Sequence, residues 1–277
     1  MKQLLSICIL LLLLAHSCQQ PREVMVPEGM VHVPAGAEIP AFFMDESPVT
    51  VAEFRRFVED TDYITEAEKF GNAAVFTTEA NWFLKEGATW EYPMGKDMEK
   101  AEDNHPVTQV SFHDAEAYSR WAGKRLPNAR EWEHAAKDGI ETHTIYNWGN
   151  QLVVDGAYKA NTWQGSFPYI NTNEDGFLHT SPVGHFGKTK LGLTDIAGNV
   201  WEWTSDWEIP YGTDPEAFKP TEASTKVLRG GSFLCDPRVC HGYQITGKTE
   251  STPETSLMHT GFRCVRDITD KDYKTSP

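Results

Sequence analysis

Apolar positions follow a helical spacing in only two stretches of the chain. Thr50-Val51-Ala52-Glu53 has the spacing of a capping box, and Val51, Phe54, Phe57 and Val58 recur on one face through Glu59, so a helix is expected there. The second stretch runs from Ser111 to Gly139. Ala115, Ala117, Tyr118 and Trp121 precede a stop at Gly123, and Asn128-Ala129-Arg130-Glu131 restarts a helix that ends by Gly139. Pro127 forces a bend between the two. Short apolar runs mark four strands: Gly29 to Pro34, Val107 to Phe112, Lys226 to Gly230 and Gly261 to Val265. Beyond residue 140 glycine, proline, asparagine and aromatic residues dominate and neither period holds for long.

This pattern predicts an α+β fold: a single compact, loop-rich domain with little regular secondary structure. Nine Trp, fourteen Phe and nine Tyr supply the buried area that short strands cannot, since each aromatic buries about 150–250 Å². No internal repeat or disordered linker interrupts residues 30–268, so one domain is the economical division, followed by a tail at 269–277.

The first seventeen residues read as a signal peptide. Lys2 supplies a positive start, and the apolar run from Leu4 to Ala15 is too short to span a bilayer. Cys18 follows Ala15-His16-Ser17, which resembles the cleavage box of bacterial lipoproteins; a plain signal peptide with an incidental cysteine is the alternative. Residues 18–29, with Pro21, Pro27 and Gly29, then form a lipid anchor and tether. The expectation is an exported, monomeric lipoprotein of a bacterial cell envelope, facing the periplasm or on the outer membrane, touching the membrane through its lipid alone.

A formal charge of −15 excludes a nucleic-acid surface, which needs clustered lysine and arginine. It leaves room for oxygen-rich sites that take hard cations. The acidic runs Asp97 through Asp103 and Glu208 through Glu222 lack ligand spacing and read as solvated surface. Setting aside Cys8 and Cys18, three cysteines remain, Cys235, Cys240 and Cys264, an odd number for an exported protein.

The strongest chemical signal is Arg229-Gly230-Gly231-Ser232-Phe233-Leu234-Cys235-Asp236-Pro237-Arg238-Val239-Cys240. Two glycines let the backbone turn and approach closely, a hydroxyl follows, and two thiols sit five apart across a proline-containing loop. From spacing alone a local disulfide is favoured, because exported cysteines usually pair. As thiolates the same two residues suit a linear Cu(I) site better than zinc, which wants four ligands; His241 and His259 are the histidines that could complete a zinc set.

That segment resembles the active-site signature of the formylglycine-generating enzyme (sulfatase-modifying factor) family. So do Gly198-Asn199-Val200-Trp201-Glu202-Trp203 through Trp207, Gly261-Phe262-Arg263-Cys264, Gly123-Lys124-Arg125-Leu126-Pro127 with Glu131-Trp132-Glu133, Tyr63 through Gly71, and Asn161 through Pro168. The resemblance implies the family's fold, which is C-type-lectin-like. It implies Cu(I) held by Cys235 and Cys240, with Ser232 and Trp201 lining the pocket. A sulfatase Cys-x-Pro-x-Arg segment would bring its cysteine to the metal, to be oxidised to Cα-formylglycine by molecular oxygen. Two structural Ca2+ sites are also implied, one from Asn161, Thr162, Asp175 and Phe177, the other from Asp195, Gly198, Val200 and Glu202. Thr162, Phe177, Gly198 and Val200 would contribute backbone carbonyls. Of the carboxylates, Glu202 is the least comfortable as a solvated turn residue, because it lies between two tryptophans and a buried carboxylate demands a partner. The EF-hand-like opening Asn171 to Gly176 is rejected, since its twelfth position is Pro182.

The chain departs from the family where the peptide would bind. Gly242 and Gln244 stand where arginines are usual, as does Lys248, and His259 replaces an asparagine. Cys264 has a family counterpart that is often disulfide-bonded, but finds no upstream partner and is expected as a buried free thiol. Two function classes follow. One is a copper-dependent oxidase acting on a sulfatase polypeptide or another cysteine-containing peptide. The other is a non-enzymatic surface lipoprotein that uses the scaffold for binding or gliding-type assembly.

Overall fold

The computed structural model describes residues 23–77, 79, 81–140 and 142–274, so the signal peptide and the Cys18 anchor lie outside the described residues. Strand β1 (Met30–Val33) pairs antiparallel with β2 (Phe42–Asp45), and helix α1 (Val51–Thr61) follows. Its start is fixed by the expected reciprocal cap: the Glu53 N–H donates to Thr50 Oγ1 at 3.2 Å and the Thr50 N–H to Glu53 Oε2 at 2.8 Å. A second capping box, Thr65 with Glu68, starts the short helix α2 (Glu66–Phe70), which stops at left-handed Gly71. The antiparallel hairpin of β3 (Asn72–Phe76) and β4 (Trp82–Glu86) comes next.

Helices α3 (Phe112–Trp121) and α4 (Ala129–Ala136) fall where the pattern placed them, capped by Ser111 with Asp114 and by Asn128 with Glu131. The expected strand at Val107 to Phe112 does not form. Gln109 adopts a left-handed conformation, φ 56°, which breaks the extended backbone. Its amide donates instead to the Ala74 and Pro93 carbonyls, at 3.2 and 2.7 Å.

The loop-rich half carries two small hairpins, β5 (Val153–Val154) with β6 (Ala157–Tyr158) and β7 (Gly165–Ser166) with β8 (Ile170–Asn171). Strands β9 (Trp201–Trp207), β10 (Lys226–Arg229), β11 (Lys248–Ser251) and β12 (Thr260–Gly261) form a sheet of order β11-β10-β9-β12, with β12 parallel to β9. The strand expected over Gly261 to Val265 is split: β12 ends at Gly261 and β13 (Val265–Asp267) joins the β1-β2 sheet as an antiparallel edge. The residues between them turn Arg263 into the interior, where it is fully buried.

Phe54, Tyr118, Phe262 and Trp203 centre the largest apolar cluster, which Cys235 and Cys264 also enter. These elements belong to the unit spanning Val26–Ile268. Residues 23–25 and 269–274 belong to a second small unit, in which Val24 bridges Tyr273 and the Met25 N–H donates to the Asp272 carbonyl at 2.7 Å. No helix among the described residues is long and apolar enough to cross a membrane.

Candidate active site

The site is built from loops that bind one another through their backbones. Gly198, φ 73°, lies so close to the Asn161 carbonyl that a Cβ would collide with it. The Gly198 N–H donates to the Gly230 carbonyl at 2.7 Å and the Asn199 N–H to the Asn161 carbonyl at 2.9 Å. The Asn199 carbonyl in turn accepts from the Phe233 N–H at 3.0 Å, which fixes the start of the cysteine loop. The buried Asn199 side chain accepts from Ser181 N–H and donates to Asp195 Oδ1, at 3.0 and 3.1 Å.

On this frame Ser232 is buried in a turn. Its Oγ accepts from the Leu234 N–H at 3.2 Å and its carbonyl from the Cys235 N–H at 2.9 Å. The Asp236 carbonyl accepts from the Cys240 N–H at 2.8 Å, bringing the two cysteines to a Cα separation of 5.1 Å with their sulfurs joined as a disulfide. Cys235 is buried and Cys240 half-buried. The Gly242 N–H donates to Cys240 Sγ at 3.4 Å. Gly242 also underlies the indole of Trp201, so that any side chain at position 242 would strike the ring. Trp201 is held from its backbone by the His259 carbonyl, at 2.9 Å. Thus Cys235, Cys240 and Trp201 come together through Gly242, while Ser232 supports the turn.

Between the cysteines Asp236 holds Arg238 by its side chain: Nε donates to Oδ1 at 2.9 Å and Nη2 to Oδ2 at 2.5 Å. The guanidinium keeps the Asp236 carboxyl below its ordinary range. Arg238 Nη2 also reaches the Gly165 carbonyl, tying the loop to the β7–β8 hairpin. Two histidines flank Phe233, His179 at 5.7 Å and His259 at 6.5 Å between ring centroids. Desolvation lowers both, His259 down to about 3, so both rings are neutral.

Of the residues assigned to the first cation site, Asn161 and Thr162 are buried beside Asp175. Asp175 accepts from the Thr162 and Phe177 N–H groups at 2.9 and 3.0 Å. Asn161 Oδ1 is buried with no hydrogen-bond donor, an atom that a hard cation would satisfy. Gln164 Nε2 donates to Asp175 Oδ2 at 2.7 Å as well, so Asn161 Oδ1 is the oxygen of this set that a calcium ion would find without a donor. The second does not fit one through Glu202, whose oxygens accept from Arg263 Nε and Nη2 at 2.7 and 2.8 Å and from Trp132 Nε1 at 2.8 Å. A cation there would lie against a buried guanidinium. His241 and His259 do not complete a zinc set either, since no group of three or more His, Cys, Asp or Glu among the described residues could hold a metal.

Loops stitched by backbone hydrogen bonds around a paired-cysteine turn define a scaffold class that short motifs alone do not. The family described as Sulfatase-modifying factor enzyme 1-like domain matches residues 14–268, and the chain belongs to it. It is 41% identical over 249 residues to the formylglycine-generating enzyme of Mus musculus, covering 83% of this chain and 67% of that protein. It is equally 41% identical over 261 residues to the formylglycine-generating enzyme of Streptomyces coelicolor, covering 84% and 83%. The solved structure of PvdO from Pseudomonas aeruginosa, 20% identical, shares the fold at a TM-score of 0.58 over 88% of this chain and 90% of its own.

Proposed function

We propose that the chain oxidises a cysteine of a target polypeptide to Cα-formylglycine, with Cu(I) held by Cys235 and Cys240 and molecular oxygen as acceptor. The observation that carries this reading is the convergence of two soft donors, one buried and one half-exposed, with no third His, Cys, Asp or Glu ligand beside them among the described residues. Kinship with the two formylglycine-generating enzymes supports the reaction class. Reduced to thiolates, the pair fits a two-coordinate monovalent ion that leaves room for a substrate sulfur. Bound copper would supply the one-electron chemistry that oxygen needs.

The protein's own groups do the rest. The Gly242 N–H donates to Cys240 Sγ, the Trp201 indole walls the pocket, and the Asp236–Arg238 pair stiffens the loop without leaving a bare charge. Neutral His259 and His179 place no positive charge beside Phe233. The overall change takes the peptidyl cysteine, one O2, and two electrons with two protons from a thiol reductant, and yields the aldehyde, hydrogen sulfide and water. A sulfatase segment with the Cys-x-Pro-x-Arg motif is the proposed substrate, met by a monomer of residues 30–268 held to a bacterial envelope through lipid on Cys18. One Ca2+ pins the loops at Asn161 and Asp175.

The test is copper-loaded protein given a Cys-x-Pro-x-Arg peptide, oxygen and a thiol reductant, with aldehyde read by mass spectrometry. Cys240→Ser is expected to lose both tight Cu(I) binding and turnover while its circular dichroism stays native. Full activity in that variant would remove the assigned role. A wild-type chain that binds neither copper nor peptide would favour the non-enzymatic surface lipoprotein.

A further inference from the structure

The β3–β4 hairpin exposes an apolar row that the fold leaves uncovered. In β4, Trp82, Phe83 and Leu84 are 44, 41 and 69% exposed. β3 is engaged on both sides, by β4 and by the segment at Ser256 to Met258, which bridges it at Ala74. The other edge of β4 has no strand against it among the described residues. Lysine often guards such an edge, but here Lys85 is drawn to Asp97 at 2.6 Å.

This row is continuous with the candidate active site. Trp82 packs edge-on to His259 at 5.1 Å, and the His259 carbonyl holds Trp201. Beside it Phe76 stacks on Phe167 at 5.6 Å, Phe167 meets Trp163 at 5.2 Å, and the Trp163 N–H donates to the Cys235 carbonyl at 3.1 Å. Tyr169 and Ile170, 67 and 58% exposed, extend the surface on the β7–β8 hairpin.

We propose that β4 receives an extended stretch of the unfolded polypeptide that carries the target cysteine, added as a further strand, with apolar side chains at every second position seated on Trp82 and Leu84. The inference rests on the proposed function. A cysteine inside a folded domain could not reach the half-buried Cys240, so the chain that delivers it must be open and can present both free backbone and apolar residues. Strand addition supplies main-chain hydrogen bonds for affinity and side-chain pockets for selection. A second copy of this chain is disfavoured as occupant by the formal charge of −15 on each copy.

The experiment compares a peptide limited to the Cys-x-Pro-x-Arg motif with one extended by a flank of alternating apolar residues, both with serine in place of cysteine, by fluorescence anisotropy. Leu84→Glu is expected to weaken the extended peptide about tenfold, the loss of one buried leucine side chain, and to leave the short one unchanged. N-methylation of alternate flank amides in the extended peptide should mimic that loss on unaltered protein, which separates docking from any folding defect. Equal affinity of wild type for the two peptides, or equal loss of both in Leu84→Glu, would overturn the proposal. So would a concentration-dependent dimer abolished by Leu84→Glu in sedimentation, which would assign the edge to a second copy. If the extended peptide binds through Leu84 but its cysteine form yields no aldehyde, the oxidase reading fails and the docking edge stands.

Discussion

Arg263 meets Glu202 with two edges of its guanidinium, Nε to Oε2 at 2.7 Å and Nη2 to Oε1 at 2.8 Å, and neither side chain reaches solvent. The remaining guanidinium N–H groups go to the Asp45, Glu46 and Thr194 carbonyls, so one arginine joins the β1–β2 sheet, the loop before the Asn199 frame and β9. Removing one partner strands a buried charge. Arg263→Leu is expected to lose about 3–5 kcal/mol of unfolding free energy in urea titrations, whereas Glu202→Gln with Arg263→Met should lose clearly less. Similar losses in both would show that the pair is not the source of the stability.

Gly242 leaves room for the Trp201 indole and donates its N–H to Cys240 Sγ. Gly242→Ala would press a methyl into the indole, an overpacking that costs about 1–3 kcal/mol, and would turn the N–H away from Cys240 Sγ. Turnover should fall at least as steeply as Cu(I) affinity, with shifted tryptophan fluorescence. An unchanged emission spectrum with unchanged kcat/KM would argue that the ring sits elsewhere in solution.

The Asp236–Arg238 pair carries a pH signature. Arg238 lowers the folded-state pKa of Asp236, so its contribution to stability is present above the ordinary carboxylate range, about pH 4, and is lost as pH falls through the lowered folded value. The difference in melting temperature between wild type and Asp236→Asn should therefore be largest near neutrality and shrink in acid. A gap independent of pH would assign the effect to packing.

These relationships differ in how far the sequence discloses them. The cap of α1 and the starts of α3 and α4 at Ser111 and Asn128 were legible, because each start is a hydroxyl or amide followed three residues on by a carboxylate. The same grammar stands at Thr65 and Glu68, but α2 has only five residues, too few for a periodic face to show. β3 was hidden by Ala73 and Ala74, whose small side chains blur the alternation, and β9 by a run of four buried residues at its start. Glu202 was rightly singled out as needing a partner. Nothing local names Arg263, 61 residues away, as that partner, and the guanidinium on its carboxylate makes Glu202 a poor calcium ligand. Gly242 was noticed as a departure from the family, yet its contact with Trp201 depends on β9 and the cysteine loop converging in space. Cys264 is the free, buried thiol expected, and burial pushes it well above the usual thiol range.

Calcium offers the sharpest separation of the two oxygen-rich sets. If an ion is held at Asn161 Oδ1 and Asp175, it binds the folded chain and not the unfolded one. At a free concentration a hundredfold above Kd, it should then add about 2.7 kcal/mol to stability. Chelation should lower the melting temperature of wild type, and calcium should restore it. Asp175→Asn is expected to melt lower and to respond little to either treatment, because the buried Asn161 oxygen alone cannot hold the ion. Glu202→Gln should instead keep the full calcium response while losing stability of its own, since its carboxylate serves Arg263. A calcium response abolished by Glu202→Gln and preserved in Asp175→Asn would reverse the assignment. Magnesium, which demands tighter octahedral geometry, should reproduce little of the shift.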